Sequence, residues 1–342
     1  MKFSVVFLSL IAAAVAEEES CELNTKFPRI VIGCWQLTER VDEEAAVDVL
    51  QKYVSAGFHA FDTADIYGAS ETLLGRLRSR LGTSGDSPIV HTKYVTKDAS
   101  LQNARRVNRQ SREALGAIPA LVQFHWWDFD DARFVNAARH LVKLQGEGFL
   151  ENVAACNFDT VHLTALVDAG IPVFSNQVQY SLLDRRPENG MIAYAREHGI
   201  KLAVFGTVAG GWLSDRWLGV PTKPSPRHAT VSFRMYSTPL ERWSGGRWDL
   251  FQELLRTLRM VADRLDTTIA NVAVAWVLAQ LGPTGGWVIL GVRDTTHLAD
   301  HNALRTGKVQ LTAEDLASIQ AVLDQGSPPR GDIWGHERGQ VQ

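Results

Sequence analysis

Four residues of unlike chemistry follow one another along the chain: Asp62, Tyr67, Lys93 and His125. A free tyrosine has a pKa of about 10 and is a poor acid near neutrality. A neighbouring ammonium group favours the phenolate and is expected to lower that pKa, each unit being worth about 1.4 kcal/mol. Asp62 would keep Lys93 charged and oriented, and His125 would donate or relay a hydrogen bond to a substrate oxygen. The result is a proton donor beside an oxygen that gains negative charge, which is the acid half of a carbonyl reduction. The other half is a hydride source. The set does not suit a metal, because it holds one strong nitrogen ligand and one carboxylate. Each member alone has a plainer explanation. Asp62 could cap a loop, Lys93 could be an ion pair at the edge of the core, and His125 between Phe124 and Trp126 could be a satisfied core histidine. Together they are harder to explain that way.

These residues need elements that bring them to one place. Short apolar segments alternate with helix-type segments along the chain. Strands are expected at 29–33, 59–61, 88–91, 120–124, 152–155, 173–178, 201–205 and 287–290. Helices are expected at 42–56, 70–81, 100–115, 131–145, 159–168, 187–198, 250–265 and 268–280. Most central strand residues recur at about 30-residue steps, the length of one βα unit with a right-handed crossover. Eight such units give an α/β fold, a (β/α)8 TIM barrel, with a long loop after strand 7 over about 208–248. In such a barrel, chemistry sits at the carboxyl ends of the strands, and Asp62, Lys93 and His125 stand at strand ends. A doubly wound sheet would want a G-x-G-x-x-G turn after the first strand, and the chain has none. It also lacks G-x-x-x-x-G-K-[ST], H-E-x-x-H and G-x-S-x-G.

Composition sets the outer limits. The chain has 342 residues, 35 Lys+Arg against 38 Asp+Glu, and 45% hydrophobic residues, which fits a packed globular protein. The near-neutral balance argues against nucleic acid as a partner. Cys21, Cys34 and Cys156 form no C-x-x-C pair, so free thiols and a reducing compartment are the default. The N-terminus points elsewhere. Lys2 precedes a mainly apolar run, 3–16, ending in Ala14-Val15-Ala16, the pattern of a cleaved secretory or organelle leader over residues 1–20. Residues 21–342 are expected to form one domain with a polar tail at 326–342, and no membrane contact once the leader is removed. The leader suggests the secretory pathway or an organelle, with the cytoplasm as the alternative.

With these elements placed, the chain resembles the aldo-keto reductase superfamily, NADPH-dependent barrels that reduce aldehydes and ketones. Residues 61–71, FDTADIYGASE, match the family signature around its catalytic Asp and Tyr. His91-Thr92-Lys93 and Gln123-Phe124-His125-Trp126 match the strands that carry its Lys and His. Asn176-Gln177-Val178-Gln179-Tyr180-Ser181 resembles the strand that reaches the nicotinamide, and Gly33-Cys34-Trp35 resembles the first loop. The likeness runs from about Arg29 to Asn302 with its motifs in register.

The resemblance implies a tetrad of Asp62, Tyr67, Lys93 and His125, with Tyr67 as proton donor. Asn157 and Gln177 would hold the nicotinamide carboxamide. Phe205-Gly206 stands where the family stacks an aromatic ring on the nicotinamide. Gly291 and Arg293 stand in the segment that receives the 2′-phosphate, followed by His297, His301 and Asn302 towards the adenine. Trp35 and Trp126 would line the substrate pocket. The implied cofactor is NADPH with NADH not excluded, the implied partner a small carbonyl substrate, and the implied state a monomer or weak oligomer with no metal. The chain departs from the family pattern at Cys156, where Ser is usual, and at His297 and His301. Two rival readings remain open: a cofactor-binding regulatory subunit with little turnover, and a barrel isomerase or lyase.

Overall fold

The computed structural model describes residues 26–37, 42–82, 87–225 and 231–335. The expected leader, Cys21 and the last seven residues of the expected tail lie outside the described residues. Eight parallel strands close on themselves in sequence order: β1 (Ile30–Gly33), β2 (Ala60–Asp62), β3 (Ile89–Thr96), β4 (Leu121–Trp126), β5 (Val153–Cys156), β6 (Ser175–Gln179), β7 (Lys201–Phe205) and β8 (Gly286–Gly291). β1 and β8 pair along Ile30↔Val288 to Gly33↔Gly291, which shuts the ring. The expected (β/α)8 barrel is the fold observed.

Alternation along each strand divides its side chains between two cores. Ile30, Ile32, Phe61, Val122, Phe124, Val204 and Val288 point outward and pack against the helices. Val31, Ala60, Leu121, Ala154, Ala203, Trp287 and Ile289 point inward and fill the barrel. Because both faces are covered, these strands read as continuous apolar runs.

The helices start where the caps put them. The side chains of Asp42, Ser100 and Asp159 accept hydrogen bonds from Ala45 N, Asn103 N and His162 N. They begin α1 (Glu43–Ser55), α3 (Leu101–Leu115) and α5 (Thr160–Asp168). Between them lie α2 (Ser70–Leu81) and α4 (Phe134–Gly146). After β6 the expected helix splits into a 3-10 turn, Arg186–Glu188, and α6 (Met191–Glu197).

The expected long loop after β7 is a correction. Within it the chain forms two 3-10 turns and two helices, α7 (Val231–Met235) and α8 (Ser237–Ser244). Its Gly, Pro and Ser content masked an apolar set, Trp212, Phe233, Tyr236, Leu240 and Trp243, all buried. The barrel is completed by α9 (Trp248–Arg264), α10 (Ile269–Leu281), α11 (Leu298–Arg305) and α12 (Ala313–Leu323). The described part of the tail folds back over the barrel mouth. Asn189 donates to Pro329 O and Gly331 O, and Asp332 accepts from Thr160 N. Among the described residues no helix is long and apolar enough to cross a membrane.

Candidate active site

The carboxyl end of the barrel gathers the four residues singled out first. Lys93, inward on β3, donates from Nζ to Asp62 Oδ1 at 2.5 Å and to Thr63 O at 2.8 Å. Its ammonium stands 4.7 Å from the centre of the Tyr67 ring. Burial alone would lower the Lys93 pKa, but the facing Asp62 carboxylate and Tyr67 raise it above the usual lysine value. The lysine is therefore a fixed cation.

Tyr67 corrects one expectation. Lys93 does pull its pKa down, yet burial outweighs that pull and Asp62 adds to the rise, so the phenol is pushed up to about 12. At neutral pH it holds its proton.

A pair of amides lies beneath the tetrad. Gln123 Nε2 and Gln177 Nε2 both donate to Asp62 Oδ2, at 2.7 and 2.6 Å, and Gln177 Nε2 also approaches Gln123 Oε1 at 2.7 Å. All three side chains are buried. Asp62 thus meets the lysine with one oxygen and two amides with the other. Gln177, implied to hold the carboxamide, commits its nitrogen to this network. Its Oε1 faces Cys156 Sγ at 3.9 Å.

His125 sits at the rim of β4. Its Nδ1 lies 3.2 Å from Cys156 O, an acceptor only, so Nδ1 carries the proton in that contact. Neutral His125 then presents Nε2 as an acceptor and donates from it only as the imidazolium.

Trp126 is a correction. It is fully buried, and its indole donates to Asp128 O. His125 faces the barrel mouth, so its neighbour must face the helices. Trp127 takes the position expected of Trp126: it is 51% exposed, with its ring 4.7 Å from His125. Trp334, from the folded-back tail, stands edge-on to His125 at 6.0 Å. Trp35 is exposed in the turn after β1.

The implied cofactor residues occupy the ends of β5 to β8 and the start of α11. Asn157 follows β5 with φ 59° and donates its backbone N–H to Gln177 O. Phe205 closes β7 and joins the barrel interior. Gly206 has φ 74°, and a β-carbon there would lie 2.6 Å from the Tyr236 ring, so that turn requires glycine. Gly291 ends β8 and is exposed. Arg293 follows, and its Nη1 is buried with no hydrogen-bond partner among the described residues. A buried guanidinium nitrogen without an acceptor fits an anionic ligand at that place. His297 is exposed beside Asp300. His301 is turned to Tyr53, with Nδ1 and the hydroxyl 3.1 Å apart, and burial pushes its pKa down to about 4. Asn302 accepts from Arg305. The last two therefore serve contacts within the protein.

Sequence reasoning overlooked Gln123, Trp127, Trp334 and Tyr236. Alternation from His125 points to Gln123 and Trp127 directly. Nothing in the tail's composition singles out Trp334.

The sequence model described as "Aldo/keto reductase family" matches residues 29–324. The chain belongs to the aldo/keto reductase family. Versiconal hemiacetal acetate reductase of Aspergillus parasiticus is 22% identical over 333 residues, covering 86% of this chain and 93% of that protein. An aldo-keto reductase of a Mycobacterium species is 26% identical over 191 residues; the match spans 55% of this chain and 65% of that relative. Methylglyoxal reductase DkgA of Yersinia pestis is 29% identical, with 46% of this chain and 56% of that enzyme matched. Among solved structures, the glycerol dehydrogenase of Gluconobacter oxydans aligns with a TM-score of 0.73 at 20% identity, over 90% of this chain and 94% of that one. An aldo/keto reductase of Klebsiella pneumoniae in complex with NADP and acetate aligns with a TM-score of 0.68 at 20% identity, over 90% and 94%. These identities make the structural likeness one of fold. For this aldo/keto reductase, the strand ends and the tail supply the particulars.

Proposed function

We propose that this chain reduces an aldehyde or ketone to the alcohol, with NADPH as reductant and Tyr67 as proton donor. The observation that carries the reading is the buried Asp62–Lys93 pair set against the Tyr67 ring, with His125 at the same barrel mouth. Bound NADPH would supply the hydride to the carbonyl carbon. Tyr67 gives its phenolic proton to the carbonyl oxygen as that oxygen gains charge. Lys93 stabilises the phenolate left behind, and Asp62, held by Gln123 and Gln177, keeps Lys93 in place. His125 donates to the same oxygen as the imidazolium and accepts from the alcohol when neutral. Arg293 supports the choice of a phosphorylated nicotinamide cofactor, because its buried Nη1 lacks an acceptor. The bound NADP in the Klebsiella structure agrees with that choice.

The mouth narrows the substrate. Trp35, Trp127 and Trp334 offer aromatic surface, which favours an apolar or aromatic carbonyl. The relatives named for methylglyoxal and versiconal hemiacetal acetate support a carbonyl or its hemiacetal.

The test is NADPH oxidation with a panel of aromatic and aliphatic aldehydes, run beside Tyr67→Phe. General acid catalysis is worth about 10²- to 10⁴-fold, so the variant should lose that much kcat with NADPH affinity kept. Equal turnover would remove Tyr67 from its role. With Tyr67 at about 12, reduction should not fall on its account at moderately alkaline pH. Oxidation of the alcohol needs the phenolate and should rise with pH.

A further inference from the structure

Away from the tetrad lies a cavity of about 350 Å³. It forms where the loop after β6, helix α8 and the folded-back tail meet. Its wall carries Arg185, Arg186, Arg242 and Arg330 against a single carboxylate, Asp184. No tetrad residue lines it. The volume falls at the lower end of the range for small-molecule sites, about 300–1,000 Å³.

The four guanidinium groups are not equivalent. Arg186 is committed to Asp184, with Nε to Oδ1 at 2.8 Å and Nη2 to Oδ2 at 2.7 Å. Gln179 Nε2 donates to the same Oδ2 at 2.6 Å. This buried group uses up the one acid in the wall. Arg185 is buried too, and its ion-pair partner Glu188 stands off at 3.6 Å, with Oε1 already accepting from the Tyr180 hydroxyl. Arg242 and Arg330 are exposed, and neither has an ion pair or side-chain hydrogen bond among the described residues. Three cations from three separate segments thus face one cavity with little counter-charge. Their mutual repulsion disfavours the arrangement unless an anion joins them. Guanidinium groups grip phosphate oxygens in pairs and suit that anion better than a point charge would.

The wall is also a lever on the active site. Ser327, Pro328, Pro329 and Arg330 belong to the tail, pinned by Ser327 N to Trp243 O at 2.7 Å. A few residues on, the same segment places Trp334 against His125. We propose that this cavity is a second ligand site, for a phosphate-bearing anion, whose occupant fastens the tail over the barrel mouth.

Calorimetric titration of the full chain with pyrophosphate, inorganic phosphate and phenyl phosphate tests the site without turnover, so its outcome is separate from that of the reductase assay. Pyrophosphate should bind the unsubstituted chain, and at least tenfold more weakly to Arg242→Ala/Arg330→Ala. Both positions are exposed, so the double variant should keep its Tm. Arg293→Ala, which removes the guanidinium at the end of β8, should leave intact the part of pyrophosphate binding that Arg242→Ala/Arg330→Ala abolishes. Tighter binding of phenyl phosphate than of inorganic phosphate would identify an organic phosphate ester as the ligand; the reverse order would identify the free anion. Hydrogen exchange over residues 326–335 should slow when pyrophosphate is added to the unsubstituted chain and not to the double variant. Equal affinity in the double variant, loss of binding in Arg293→Ala instead, or no binding at millimolar pyrophosphate would overturn the site. Unchanged exchange in the saturated protein would overturn its hold on the tail.

Discussion

The two ends of one barrel differ in what they do with the same kinds of residue. At the carboxyl end the interior is a charged and amide network: Asp62, Lys93, Gln123 and Gln177. At the amino end it is an aromatic plug, in which Phe27 stacks with His91 at 5.2 Å and Trp287 at 5.5 Å and touches Phe174 at 4.3 Å. β3 contributes to both ends. His91 and Lys93 are two residues apart and both point inward, yet burial in the plug pushes the His91 pKa down to about 4, while the carboxylate one layer up keeps Lys93 charged. An ionisable residue inside the barrel is held charged or neutral according to its layer. The division agrees with the rule that barrel chemistry lies at the carboxyl face and stability at the amino face.

That division can be broken from either side. The largest effect belongs to Tyr67→Phe, with kcat down about 10²- to 10⁴-fold and Tm little changed. Trp287→Ala should do the opposite, costing about 3–5 kcal/mol of stability in a denaturant titration while kcat per folded molecule holds. Gln123→Leu tests whether the amide layer belongs to the chemistry. Removing a hydrogen bond to a charged group is worth about 1.5–3 kcal/mol, or about 10- to 100-fold in kcat, with KM for NADPH unchanged. A loss of stability without loss of kcat would move Gln123 to the structural side.

The smallest effect at neutral pH comes from the buried histidines. His91 and His301 are both held near pKa 4, against 6.5 for an unperturbed histidine. As pH falls below 6.5 the unfolded chain binds protons first, so stability is full above that value and declines down to about pH 4. The urea midpoint should track this window, and His301→Gln should flatten part of the slope.

Much of this was legible in the sequence because strands and caps follow local rules. The apolar runs near Val31, Phe61, Val90 and Val122 locate four strands, and Asp42, Ser100, Asp159 and Thr268 start helices as cap residues do. The tetrad was legible because three members lie on successive strands and the fourth follows β2 in a short loop. The errors arose where a neighbour's direction mattered. The resemblance implies a lining role for Trp126, but it adjoins inward-facing His125, and adjacency on a strand means opposite faces. The sign of the Tyr67 shift depends on burial, which a spacing does not reveal. The tail's path over the mouth depends on contacts such as Thr160 N to Asp332, 172 residues apart.

The seam between the first and last strands has a consequence for biosynthesis. Arg29, just before β1, donates to Gly286 O at 2.6 Å and to Leu278 O at 2.8 Å, the former 257 residues further along. A ribosome adding about 5–20 residues per second needs on the order of 10–50 s to cover that distance. Through that interval the nascent first strand has one edge without its partner, and an unpaired edge invites pairing with other chains. Chaperone engagement during translation should therefore peak before residue 286 emerges and fall once β8 can dock.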